Sequence, residues 1–384
     1  MSNEVKVQYW AGFRDEDSSS VTLSRCYNPA MTRPEYILDC FVRTQLRNEP
    51  GFSDYIGKLD IEKVESPSFR SFLHLFQKTM NEELQSEGVN ASGGVQHPPF
   101  HFDYLDVGAG IKNAHAFQHA DFSFIVVTLP LVESLWHLSR RLSRSPIVVE
   151  LLHLDPATMV PDAFQGLLLG IQLGFLVSHE YTHHVHLHCV ESQSGVFRLW
   201  TEFQHGATSG SMNSQAQELD ADGYAAYLVL AHLLRGETRS SVLAELGRSD
   251  LQGTDADEPL LKCFFLAVLA FFCEFWREDM DMALVYQFTH PPPPVRIKYM
   301  IQVAEMWCGQ NGSVPQSWFN PARFQELFRA TAEVIEEKAR QTWDAQMSFL
   351  RGGHGVQYDH ELFERFEAVR QNRGQAIINQ PASR

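Results

Sequence analysis

Residues 178–188 read SHEYTHHVHLH, five histidines in eleven residues, and follow directly on AFQGLLLGIQLGFLV at 163–177. A membrane-spanning helix needs roughly 20 apolar residues. This run has 15 and includes Gln165 and Gln172, so it reads as a buried core helix. Pro161 suits a first helical turn, and the pattern predicts one helix from about 161 into the histidines. A second apolar run, CFFLAVLAFFC at 263–273, is shorter still and reads the same way. The chain is expected to be cytoplasmic, with no membrane span. Its start, MSNEVKVQYWAGFRDEDSSS, lacks the basic and then apolar pattern of a secretory signal. The cysteines at 26, 40, 189, 263, 273 and 308 form no CxxC pair, as expected of reduced, mostly buried thiols. A net charge of −16 argues against nucleic acid or an anionic membrane as main partner.

His179-Glu180-Tyr181-Thr182-His183 is an H-E-x-x-H pattern. Histidines four apart on a helix project from one face, where both imidazoles can meet one ion. Neutral imidazole favours zinc over calcium or magnesium. Glu180, beside the first histidine, is placed to act as a general base on water without ligating the metal. His184, His186 and His188 read as solvated helix positions. His186 is also a rival third ligand, but it lies roughly 10 Å along the axis from His179.

The third ligand is expected from QELDADGYAAY, inside an alanine-rich helix over 213–234 ending at Gly236. Gly166, Gly170, Gly174, Ser178 and Thr182 form a small-residue stripe on the first helix; Ala221, Gly223, Ala225 and Ala226 do so on the second. Packing the two stripes would bring Glu218 to the ion. Asp222, four residues on, would accept the far N–H of a ligating histidine.

HEYTH followed by ELDAD resembles the gluzincin metallopeptidases of the HtpX and CAAX-prenyl-protease type. NAHAF…FSFIVVTLPLVESL at 113–135 and THPPPPVRI at 289–297 resemble two further segments of that family. The resemblance covers about 113–300 and implies one zinc ion per chain, held by His179, His183 and Glu218, with Glu180 as base. It places Arg296 near the site, and His290 there as oxyanion stabiliser or fourth ligand. It also implies an edge strand over the site, Phe124, Ile125, Val126 and Val127, along which an extended substrate chain would pair. Many members carry transmembrane helices and this chain shows none; cytosolic Lit-like phage-exclusion peptidases are a second likeness.

The fold class expected is α+β, mostly helical: a zincin-like core with a short edge strand in a small sheet and an HExxH active-site helix. Residues 1–100 form an N-terminal region of unknown role, 101–310 the metallopeptidase domain, and 311–384 a C-terminal helix with a loosely held tail. The acidic stretch 247–259 and THPPPP are candidate covers for the cleft. The expected function is that of a zinc metalloendopeptidase hydrolysing a protein or peptide substrate through a zinc-activated water. The alternative is a catalytically silent zincin-fold protein that binds zinc as a regulator or sensor.

Overall fold

The computed structural model describes residues 33–49, 51–90, 98–108, 110–186, 188, 200–201, 210–236, 239–274, 281–335 and 337–378. The protein is mostly helical α+β. Helix α1 (Pro34–Thr44) precedes strand β1 (Tyr55–Lys58) and the long helix α2 (Pro67–Asn90); β2 (Phe100–Val107), β3 (Ala114–His119) and β4 (Phe122–Thr128) follow. With β5 (Trp200–Thr201) they make a five-stranded sheet in the order β1-β2-β4-β3-β5. β2 and β4 are parallel; the β1–β2, β3–β4 and β3–β5 pairs are antiparallel.

β4 is the expected strand, but it is not at the edge. It pairs with β2 along one side, Phe124 opposite His101, and with β3 along the other, Phe124 opposite Phe117. Phe124, Ile125, Val126 and Val127 are all buried. A β-branched, aromatic run suits a central strand buried on both faces. Its backbone groups are already committed to two neighbours, so it cannot take up a substrate strand. β3 lies on the outer side, and β5 pairs with it at His115 and Ala116.

Helices α3 (Leu129–Ser143) and α4 (Pro146–Leu151) lead into α5 (Pro161–Val185), which starts at the expected proline. α5 is buried on nearly every side: Leu167, Leu168, Leu169, Ile171, Leu173, Phe175, Leu176 and Val177 all lie in the main core. Burying a large apolar side chain is worth about 1.5–3 kcal/mol. Eight of them outweigh the roughly 1 kcal/mol that each of Gly166, Gly170 and Gly174 costs against alanine. α6 (Met212–Arg235) packs along α5 and begins with a capping box between Ser211 and Ser214. α7 (Arg239–Glu245) and α8 (Asp257–Glu274) follow; α8 is the second apolar run. Its Phe271 and Phe272 meet Phe175 edge-on. Among the described residues no helix is long and apolar enough to cross a membrane.

α9 (Pro293–Gln310) begins inside the proline cluster. The long helix expected near the C-terminus is two, α10 (Pro321–Ala332) and α11 (Glu337–Arg351), broken after Ala332 by a turn. Most of the tail read as loosely held is α12 (Gly353–Ile378), docked on α6 through buried Tyr358, Leu362 and Phe366; residues 379–384 lie outside the described residues. Residue 100 separates no two cores either: β1 completes the sheet, and Leu73, Phe76, Met80 and Leu84 of α2 join the same core as α5. The acidic stretch 247–259 ends in an anchor rather than a cover. Buried Asp257 accepts hydrogen bonds from Arg235, Arg239 and Ser313, tying α6, α7, α8 and the segment after α9 together. Cys263 and Cys308 are free and buried and Cys40 is free and exposed; Cys26 and Cys189 lie outside the described residues.

Candidate metal centre

α5 and α6 bring together the residues that the sequence separates by 35 positions. His179 and His183, one turn apart, point their Nε2 atoms at each other 3.0 Å apart. Glu218 of α6 closes the group: Oε2 is 3.1 Å from His179 Nε2 and Oε1 is 3.6 Å from His183 Nε2. Donors held tetrahedrally at 2.0–2.2 Å from one zinc ion stand about 3.3–3.6 Å apart. The distance between the two nitrogens, and that from each nitrogen to its nearer Glu218 oxygen, are thus within a few tenths of an ångström of this spacing, and one ligand atom from each of the three residues lies within 4.8 Å of the others. All three side chains are 1–2% exposed. Burying a carboxylate is costly unless cationic charge compensates it. Glu180, Glu218, Asp220 and Asp222 are all buried across these two helices, so a divalent cation suits the donor set electrostatically as well as geometrically.

Asp222 is where the sequence pattern places it. Its Oδ1 is 3.0 Å from His179 Nδ1. Arg296 of α9 grips the same carboxylate twice, Nε to Oδ2 and Nη2 to Oδ1, both at 2.7 Å. Burial works to raise the Asp222 pKa. The charge of Arg296 and the hydrogen bonds from Arg296 and His179 together hold it below the ordinary carboxylate range. An ionised Asp222 accepts the Nδ1 proton of His179, which leaves the Nε2 lone pair directed at the ion. Arg296 is buried, with its guanidinium 4.6 Å from the Phe272 ring centroid. Rather than standing at the reacting atoms, as expected of a catalytic residue, it is one step further out: a positioning residue that holds Asp222.

His290 is brought to the site. Its Nε2 is 3.3 Å from Glu218 Oε2 and its side chain is 16% exposed, against 2% for Glu218. It does not join the group whose ligand atoms lie within 4.8 Å of one another, which is His179, His183 and Glu218. The geometry thus sets it beside Glu218, more exposed than the three residues of that group. Its Nδ1 is 2.8 Å from the Thr289 hydroxyl; with that hydroxyl donating, Nε2 carries the proton towards Glu218.

Sequence reading missed the residue that fixes the strap of residues 281–290, which ends in His290. Gln215, one turn before Glu218, is buried and donates to the carbonyls of Val285 (2.8 Å) and Phe288 (2.9 Å). Its Oε1 accepts from the Tyr358 hydroxyl of α12. Gly210 closes the same contact, its N–H donating to Gln287 O at 2.9 Å. A Cβ at Gly210 would fall 2.1 Å from the Phe288 oxygen, so only glycine fits there. A glutamine three residues before the expected ligand, on the same helix face, was the available signal.

The histidines read as solvated are not. His184 is buried, with Nε2 3.1 Å from the Phe124 carbonyl, pinning the last turn of α5 to β4. Phe124 thus supports α5 from inside the sheet. His188 is buried too, its Nδ1 3.0 Å from His183 Nδ1. His186 lies 2.6 Å from Asp220 through Nδ1. It is therefore not a rival third ligand: it belongs to a second group, His186, His188 and Asp220. Comparison with protein-family models, curated proteins and solved structures finds no match to this chain.

Proposed function

We propose that the protein is a zinc-dependent endopeptidase in which His179, His183 and Glu218 hold the ion and Glu180 is the general base. The observation that carries this reading is the convergence of one ligand atom each from His179, His183 and Glu218 within 4.8 Å of one another, at the helix α5 that also bears Glu180. When bound, zinc lowers the pKa of water from 15.7 to about 7 and polarises a carbonyl oxygen. Glu180 follows His179 on α5 and is buried, so its carboxylate acts in a low-dielectric setting. It removes the proton from the attacking water and returns it to the leaving amine of the cleaved peptide bond. His290, more accessible than the ligands and presenting Nε2 towards the centre, donates a hydrogen bond to the oxygen that gains charge. Asp222 and Arg296 keep His179 in the required tautomer and orientation.

Glu180→Gln decides the base assignment. The variant should retain one tightly held zinc and lose about 10²–10⁴-fold in hydrolysis of a generic protein substrate. Cleavage at the wild-type rate would refute it. The 1–2% exposure of the three ligands also favours a second reading, a zinc-binding regulatory or sensor protein without turnover. Stoichiometric zinc with no new N-termini in a treated lysate, wild type against Glu180→Gln, would select that second reading.

A further inference from the structure

Beside the first centre, just past the C-terminal end of α5 and on α6, stands a second set of metal-ligand chemistry that the hydrolytic reading does not use. His186 Nδ1 is 2.6 Å and His188 Nε2 is 3.5 Å from one oxygen of Asp220. The ligand atoms of all three lie within 4.8 Å of one another. Asp220 and His188 are buried, and His186 sits at the margin of the surface, against the Tyr224 ring. Two imidazoles and a carboxylate, with one open side, form the donor set of a borderline divalent ion such as zinc rather than calcium or magnesium.

We infer that His186, His188 and Asp220 form a second zinc site, weaker than the first and coupled to it through His183. The coupling follows from proton counting across the 3.0 Å contact between His183 Nδ1 and His188 Nδ1. Two facing ring nitrogens at that distance hold one proton between them. With His183 ligating the first ion through Nε2, its proton is on Nδ1 and His188 Nδ1 accepts it. A neutral His188 then keeps its own proton on Nε2, the nitrogen that faces Asp220. A second ion binds Nε2 of a neutral His188 only if the proton moves to Nδ1, where it confronts the His183 Nδ1–H, or if the ring turns away from His183. Without a second ion the same residues serve the first centre: His183 leans on His188, and His188 on Asp220, much as His179 leans on Asp222. Filling the second site removes that support from His183. Loss of such an outer partner weakens a metal site about 10–100-fold.

The inference goes beyond the peptidase reading, and its binding test is independent of activity. Metal-free full-length chain is titrated with zinc by calorimetry and checked by equilibrium dialysis. The wild type should take up two equivalents, the second held at least about tenfold more weakly. Asp220→Asn and His186→Ala should each bind one equivalent, at the tight affinity in His186→Ala and more weakly in Asp220→Asn, because Asp220 also supports His183 through His188. His186→Ala, at the helix end, keeps the test decisive if Asp220→Asn fails to fold by circular dichroism. Glu218→Ala should lose the tight equivalent, which tests the first centre separately. A single equivalent in the wild type would overturn the second site, and so would two equivalents retained in both Asp220→Asn and His186→Ala. A tight ion that leaves no faster when the second equivalent is present would overturn the coupling.

Discussion

At the scale of single residues, the centre is a set of side chains each made useful by a partner. With zinc held as proposed, removing Glu218 would take a ligand, and removing the charge of Asp222 would take only the support of His179. Glu218→Ala should therefore lose the tightly held zinc. Asp222→Asn should keep the site but weaken it about 10–100-fold. Zinc retention in dialysed protein separates the two, and equal retention in both would argue against Glu218 as ligand. Asp222→Asn also leaves the Arg296 guanidinium buried without its carboxylate, so some loss of stability should accompany the loss of affinity. The thiols offer a pH test. Burial pushes the Cys263 pKa up to about 12, and burial again pushes that of Cys308 up to about 11. A raised pKa keeps the thiol protonated and unreactive at pH 8. Labelling of the native chain with a thiol reagent, mapped by mass spectrometry, should mark exposed Cys40 and spare Cys263 and Cys308 until the chain unfolds. Rapid labelling of Cys263 at pH 8 would contradict the packing of α8.

At the scale of elements, helices were more legible than strands. The apolar run over 163–177 is long and punctuated by Pro161, and it folds as the N-terminal part of α5. β2, by contrast, was not recognised as a strand. FHFDYLDV alternates aromatic and polar residues at its start, a period-2 signal that was available in Phe100, Phe102 and Tyr104. β4 was recognised, but its place in the sheet was not, because strand order depends on which neighbours arrive and not on the strand itself. The β3–β4 hairpin carries a local cost: Ala120 and Asp121 have φ of 47° and 66° at the exposed turn. Left-handed backbone costs a residue with a Cβ about 1–2 kcal/mol and glycine little. Ala120→Gly should thus stabilise the protein by about 0.5–1 kcal/mol in denaturant unfolding, and a loss of stability would mean the turn relies on the alanine side chain. Where α6 meets α9 the tolerance is reversed. A Cβ at Gly223 would fall 2.8 Å from the Tyr299 ring, which explains why the stripe of small residues includes a glycine there.

At the scale of the whole molecule, binding of the proposed zinc would be linked to folding. A ligand that binds only the folded state stabilises it by about 4.1 kcal/mol at a thousandfold excess over Kd. The unfolding midpoint should therefore fall on the order of 5 °C when zinc is removed by a chelator. It should fall as far in Glu180→Gln, which keeps all three ligands, and scarcely at all in Glu218→Ala. An unchanged midpoint in the wild type would mean that no metal is held by the native state. The fold that supports the centre gathers distant parts of the chain. Gln215 ties the His290 strap and α12 to α6, Asp257 ties α6, α7 and α8 to the segment after α9, and β1 and α2 complete the sheet and core that carry α5. None of these ties has a local sequence signature, because each joins residues whose separation along the chain is large.

By itself the sequence determined the two helices, His179, His183 and Glu180 on one, and Glu218 with Asp222 on the other. These follow from the helical repeat, which sets residues four apart on one face whatever the rest of the chain does. Tertiary structure alone decided that β4 is central, that Arg296 stands behind Asp222, and that His188 and Asp220 are buried together. Asp220 is two residues from both Glu218 and Asp222, about 200° around the helix. It faces the end of α5 only because that end wraps past α6, and helical periodicity carries no information about how two helices cross.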